Sequence, residues 1–268
     1  MEIGVTLRNM GQQSESSILR SGARHADELG FDSLWITDHI AIPPDDAEGS
    51  GGRYTDPLTT LAWLGGLTER IKLGTGVLIL PYRPAIPTAR AVATVQELTG
   101  NRLLLGVAVG WMDAEFRALG LDRHQRGRMT DEILEFMAEC FSNDVVERNG
   151  QPFIFSPRPK APPIYIGGSA PHALKRAIRF GHGWLPMVRS PLRLAEDLKT
   201  YKELAGTSGT RPGPITVMTS LPMDEPGKAA DLRAAYAELG VERLVLSFRY
   251  NTADEYLTGL DTLAGMLD

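Results

Sequence analysis

Eight short apolar runs, each followed by a helical pattern, predict a closed (β/α)8 barrel, the TIM barrel, for this chain. Strands joined by helices are parallel neighbours, because a parallel pair needs a long crossover. The loop after the first run reads RNMGQQS and lacks the G-x-G-x-x-G fingerprint that the runner-up, an open doubly wound sheet, typically carries there. With 268 residues, 43% of them hydrophobic, the chain is long enough for one such barrel. No repeat or low-complexity linker divides it, so one domain over residues 1–268 is expected.

The elements follow in order. Ile3–Leu7 reads as a strand. Ser16–Leu29 places Ile18, Leu19, Ala23, Ala26 and Leu29 near one face of a helix that stops at Gly30. Phe31–Thr37 is the second strand. Asp56 and Pro57 supply an N-cap and a first helical residue for the second helix. Ile71–Ile79 is the third strand, Ile86–Leu98 a helix, and Leu103–Val109 the fourth strand. Helical runs follow at Asp113–Leu119 and Gly127–Phe141. Val145–Phe155 holds Asn149-Gly150 between apolar stretches, a hairpin signal. The remaining strands are Pro163–Ile166, Gly183–Met187, Ile215–Thr219 and Val241–Phe248. The helices after them are Pro171–Phe180, Pro191–Leu204, Gly227–Leu239 and Thr252–Leu267.

Composition excludes several functions. Lys and Arg number 28 against 33 Asp and Glu, a net charge of -5 that disfavours nucleic-acid binding. The single cysteine, Cys140, allows no intrachain disulfide and no Cys-rich metal site. His25, His39, His124, His172 and His182 show no metal-binding spacing, so no metal is expected. MEIGVTL opens in a strand-like run without the layout of a signal peptide, and no apolar stretch approaches the ~20 residues of a membrane span. A cytoplasmic location, with no membrane partner, is the expectation.

In a barrel, function sits on the loops that follow the strands. Asp38-His39 follows the second strand and fits acid–base work or the holding of a polar ring; the bland alternative is a turn cap and a surface imidazole. Gly74 and Gly76 in the third strand fit a bulge or a close backbone approach by another group, or else a tight barrel corner. After the fourth strand, small residues at 106, 108 and 110 let something flat lie against the backbone, with Trp111 beside it as lining or as packing. Gly167, Gly168 and Ser169 before a helix fit an anion site, or a helix start capped by Ser169. The basic run at 123–128 reads as a solvated helix start or as a seat for an anionic tail.

The stretches GFDSLWITDH, IKLGTGVLILPYRP, LLLGVAVGWMDAEFRALG, APPIYIGGSAPHALKRA and FGHGW, in this order, resemble the bacterial luciferase-like flavin monooxygenase superfamily. G-W-x-x-x-E-F followed by a Gly-Arg-rich helix start resembles its branch that uses the deazaflavin coenzyme F420. The resemblance implies a ring at the C-terminal mouth of the barrel. Asp38 and His39 match the pair near the reactive ring, and Gly76 and Val77 a bulge with a cis peptide under it. Val109 and Gly110 match a segment near ring and ribityl chain. Gly168, Ser169, Ala170, His172 and Ala173 match the phosphate turn. Where sugar-phosphate dehydrogenases of the family carry a Glu after the fourth-strand glycine, this chain has Trp111, so neither that carboxylate nor that substrate is carried over. The chain is short for the superfamily, so short insertions and an open pocket are expected, as is a homodimer.

The expected function is an F420-dependent oxidoreductase that moves a hydride to or from a small-molecule substrate, with His39 handling the proton and Asp38 orienting it or bonding the coenzyme. The alternative is an FMN-dependent monooxygenase that activates oxygen. A barrel that merely binds a flavin is the non-enzymatic rival.

Overall fold

The computed structural model describes residues 1–180, 182–187 and 190–267. The elements are β1 (Glu2–Thr6), α1 (Ser16–Glu28), β2 (Ser33–Ile36), α2 (Pro57–Gly65), β3 (Lys72–Thr75), β4 (Leu78–Ile79), α3 (Ala85–Leu98), β5 (Leu103–Ala108), α4 (Asp113–Ala118), α5 (Arg126–Ser142), β6 (Val145–Arg148) and β7 (Gln151–Ile154). They continue with β8 (Ile164–Gly167), α6 (His172–Phe180), β9 (Gly183–Leu185), α7 (Pro191–Thr207), β10 (Thr216–Thr219), α8 (Pro226–Glu238), β11 (Arg243–Leu246) and α9 (Ala253–Leu267). The main sheet runs β10-β11-β1-β2-β3-β5-β8-β9, with every pair parallel. Its two ends meet where the Trp184 N–H donates to the Pro214 carbonyl at 2.9 Å and Trp184 bridges Ile215. The expected barrel is therefore present, and its eight staves are the eight predicted strands.

Local chemistry explains the element ends. The Asp56 carboxylate caps α2 by accepting the Thr59 N–H at 2.9 Å, with Pro57 as the first helical residue. Asn149 and Gly150 both hold positive φ, 54° and 76°, the conformation a two-residue hairpin between β6 and β7 requires. The third strand is not continuous over Ile71–Ile79: at the expected bulge, Gly76 and Val77, the chain leaves the ladder, and the strand splits into β3 and β4, of which β4 pairs with β5. The Gly76–Val77 peptide is cis, as the family resemblance implied.

Alternation along the staves sorts side chains into two cores. Residues facing outward, such as Val5, Leu34, Leu73, Leu105, Ile166 and Leu244, join the apolar faces of the helices in one large cluster. Inside the barrel sit Trp35, Leu104, Tyr165, Leu185 and Val245, with Val77 and Met218 against them. Trp35 is fully buried and fills the centre, and a Cβ on Gly74 would stand 2.3 Å from its ring. Gly74 thus marks a close approach to the backbone by another group, the Trp35 ring, within a regularly paired strand rather than at a barrel corner.

Polar groups close the lower end of the barrel. Arg243, 2% exposed, donates to Asp32 at 2.7 Å and to the Tyr165 hydroxyl at 3.0 Å, and pairs with Glu2. Lys72 completes the set with Asp32 at 2.7 Å. Burial pushes the Asp32 carboxyl up, but these cations outweigh it and hold the group ionised. Strand starts at this end carry structure; the opposite end carries the open loops. Among the described residues no helix is long and apolar enough to cross a membrane.

Candidate active site

The mouth of the barrel brings together residues from β2, β5 and the loops beyond them. His39 follows β2. Its Nδ1 lies 3.0 Å from Glu115 Oε2. Glu115 stands on α4 with a side chain 0% exposed. Its Oε2 also accepts the Tyr82 hydroxyl at 2.8 Å, and its Oε1 accepts the Ile40 and Ala41 N–H groups at 2.6 and 3.0 Å. A carboxylate offers about four acceptor positions, and here four donors fill them. Burial alone pushes the Glu115 pKa up; the bonds from His39, Ala41, Ile40 and Tyr82 outweigh it and hold the pKa at about 2. The ionised carboxylate can only accept, so Nδ1 carries the hydrogen of the neutral imidazole and Nε2 is its acceptor. The Tyr82 phenol, buried against Glu115, is raised far above its ordinary range and stays a donor.

His39 is 20% exposed and flanked by aromatic rings. Tyr54 lies 5.0 Å away between ring centroids, and Trp111 lies 6.2 Å away, edge to face. Trp111 is 64% exposed, so it lines the mouth rather than the core, and its carbonyl accepts from Arg123 Nε at 3.1 Å.

The Glu115 assembly has a pH signature. The folded pKa is depressed from 4.5 to about 2, so Glu115 contributes stability above pH 4.5 and loses it as the pH falls toward 2. The full contribution is about 3 kcal/mol. Glu115→Gln should therefore be less stable than the parent by at least about that amount at pH 7, with the gap shrinking by about half by pH 3. Urea unfolding at the two pH values reads this directly, and a gap independent of pH would show that Glu115 is not the ionised group described.

Asp38 requires a correction. It does not orient His39; Glu115 does. Asp38 is 4% exposed and bound by Arg83 through both oxygens, at 2.6 and 2.9 Å, while Oδ2 also accepts the Ile79 N–H at 2.9 Å. Arg83 further donates to Asp56 at 3.0 Å, tying the loop after β2 to the start of α2. Three donors hold the carboxylate, whose side chain is fully buried against the scaffold.

The other sequence-singled residues divide. Gly76, Val77 and Val109 are half-buried at the strand ends, where an apolar wall is open to the mouth. Gly110 is buried, with φ +79°, and a Cβ there would meet Ile79 at 2.8 Å and the Phe116 ring at 3.1 Å, so its place in the turn is set by packing under α4. Ser169 and His172 are exposed and Gly168 and Ala170 half-buried around the start of α6. The N–H groups of Ser169 and Ala170 have no acceptor among the described residues. Ala173 differs from expectation: its side chain is in the core and its N–H is taken by the Ser169 carbonyl at 3.2 Å, so it has nothing left to offer a phosphate.

Glu115 is the acidic residue of G-W-x-x-x-E-F, for which the resemblance implies no role. A readable signal existed. Met112, Glu115, Phe116 and Leu119 stand at helical spacing along α4 and its two cap residues, and a carboxylate on an apolar stripe needs partners.

A barrel of eight parallel staves with an imidazole–carboxylate pair at its C-terminal mouth defines the class, and the chain belongs to the luciferase-like monooxygenase family, which it matches over residues 2–254. Among its relatives is the F420-dependent hydroxymycolic acid dehydrogenase of Mycobacterium tuberculosis, 28% identical over 245 residues, with 86% of this chain and 66% of that one covered. Of solved structures, a monooxygenase from Streptomyces bottropensis superposes with a TM-score of 0.79 at 20% identity, covering 100% of this chain and 98% of that one. The coenzyme F420-dependent tetrahydromethanopterin reductase of Methanopyrus kandleri gives 0.74 at 15% identity, covering 98% and 97%.

Proposed function

We propose that the chain is an F420-dependent oxidoreductase that moves a hydride between the deazaflavin and a small organic substrate. The observation that carries this reading is the pairing of His39 with the buried, ionised Glu115. Interconverting an alcohol and a carbonyl moves a hydride from carbon and a proton from oxygen. When bound, the deazaflavin supplies the hydride chemistry. His39 Nε2 takes the hydroxyl proton in one direction and returns it in the other. Glu115 holds the tautomer and balances the imidazolium that forms, in the way the buried carboxylate of a catalytic triad does. Its neighbours Tyr54 and Trp111 give the substrate an aromatic wall.

The residues present fit the coenzyme. Val77 and Val109 offer the flat apolar surface a ring needs, and the Ser169 and Ala170 N–H groups with the start of α6 offer donors for a phosphate. The dehydrogenase relative, named for F420, supports the choice of deazaflavin. Titrating the purified protein side by side with F420 and FMN tests it. F420 should bind at least about tenfold more tightly, roughly 1.4 kcal/mol. Tighter binding of FMN, or FMN retained through purification, overturns this reading in favour of an oxygen-activating flavin enzyme.

A further inference from the structure

Two arginines at the mouth lie outside the machinery described so far. β1 and β11 are neighbours with Val5 opposite Leu246, and Arg8 and Arg249, each three residues further along, follow the ends of these adjacent staves. Their orientation follows from the strand alternation. Leu7 belongs to the outer core, and Phe248 packs outward on α9, where its ring occupies the space a Cβ on Gly259 would need. Arg8 and Arg249 are therefore turned toward the mouth. The Arg8 N–H is anchored on the Tyr250 hydroxyl at 2.8 Å. Burial raises the Tyr54 phenol, and the Arg8 charge pulls the other way, which brings this cation into the field of the ring beside His39.

Neither guanidinium has an ion-pair partner among the described residues, in contrast to Arg83, Arg176 and Arg243. Two unneutralised guanidiniums following neighbouring staves attract an oxyanion, and their planar donor forks suit carboxylate or phosphate oxygens. Their place on the ring of staves separates them from the coenzyme. β1 is four staves from β8, whose following turn offers the phosphate donors, and β11 is four from β5. An anion on Arg8 and Arg249 thus lies across the mouth from the coenzyme phosphate.

We propose that Arg8 and Arg249 form the anion-binding end of the substrate pocket, so that the substrate is an acid, bearing a carboxylate or a phosphate, whose reacting carbon is held toward His39. The assignment of this anion to the substrate rests on the functional reading above; the anion site itself does not. The test titrates inorganic phosphate into the protein with and without bound coenzyme. It compares the parent, the double variant Arg8→Gln with Arg249→Gln, and the double variant Arg8→Lys with Arg249→Lys. The Gln pair should weaken phosphate binding at least about tenfold in the coenzyme-loaded protein, the Lys pair should restore part of it, and coenzyme affinity should stay within about threefold throughout. Unchanged phosphate affinity in the Gln pair overturns the anion site. Coenzyme affinity falling in step with phosphate affinity overturns the assignment to substrate, because the pair then serves the coenzyme. If neither F420 nor FMN binds, the functional reading fails by itself, and arginine-dependent phosphate binding in the bare protein still supports the anion site.

Discussion

His39→Ala should lower turnover by about 10²–10⁴-fold, or roughly 3–5 kcal/mol of barrier, while coenzyme affinity changes by less than about threefold. The split between the two readouts is the informative part. His39 is held through Nδ1 by a carboxylate that four donors saturate, so its position does not depend on coenzyme or substrate. Its loss removes the proton acceptor and leaves the proposed ring wall of Val77 and Val109 in place. The fold should tolerate the change, since the ring is partly exposed at the mouth. Steady-state kinetics and a coenzyme titration on the same preparation measure both. Equal turnover in parent and variant would demote His39 to scaffold.

The second large effect concerns stability. Asp38→Ala should destabilise the protein by about 3 kcal/mol, because it strands a largely covered guanidinium. Arg83 loses its bidentate partner and keeps only the bond to Asp56, and the Ile79 N–H loses its acceptor. Asp56→Ala, which removes a helix cap and the lesser of the two Arg83 contacts, should cost less, about 1–2 kcal/mol. Urea unfolding at pH 7 orders the two variants. Any loss of activity in Asp38→Ala should track the loss of folded protein. A variant of parental stability with abolished turnover would return Asp38 to the chemistry and contradict the scaffold role.

Much of the barrel is legible in the residues because barrel staves obey a strict alternation. Val5, Leu34 and Leu105 face the helices, while the caps and turns at Asp56, Gly30 and Asn149-Gly150 mark element ends by local chemistry alone. The break of the third strand at Gly76 was less legible. Gly74 and Gly76 signalled a bulge, but the apolar residues continue through Leu80, so their spacing did not say where the ladder is lost. The site was half legible. His39 stood out by its position at a strand end. Asp38, the neighbour in sequence, is the partner that position suggests, but it lies in the turn beyond β2 and is taken by Arg83. The carboxylate that reaches the imidazole comes from α4, many residues later, and folding alone brings the two together. Arg83 and Tyr82 were likewise read as part of a motif string, although one neutralises Asp38 and the other completes Glu115. Long-range charge pairing leaves no periodic trace, so the polar half of the site had to come from the structure.

The central claim is that His39, held by Glu115, faces the reactive centre of a bound deazaflavin across a substrate. A crystal structure of the protein with F420 and a small alcohol or ketone tests it most directly. The account predicts the ring against Val77 and Val109, with His39 Nδ1 still on Glu115. His39 Nε2 should be within hydrogen-bond reach of the substrate oxygen, about 2.6–3.2 Å, and the reacting carbon roughly 3–3.5 Å from the ring. A ring seated away from the His39 side of the mouth, or an imidazole that has left Glu115 when the site is filled, would contradict it.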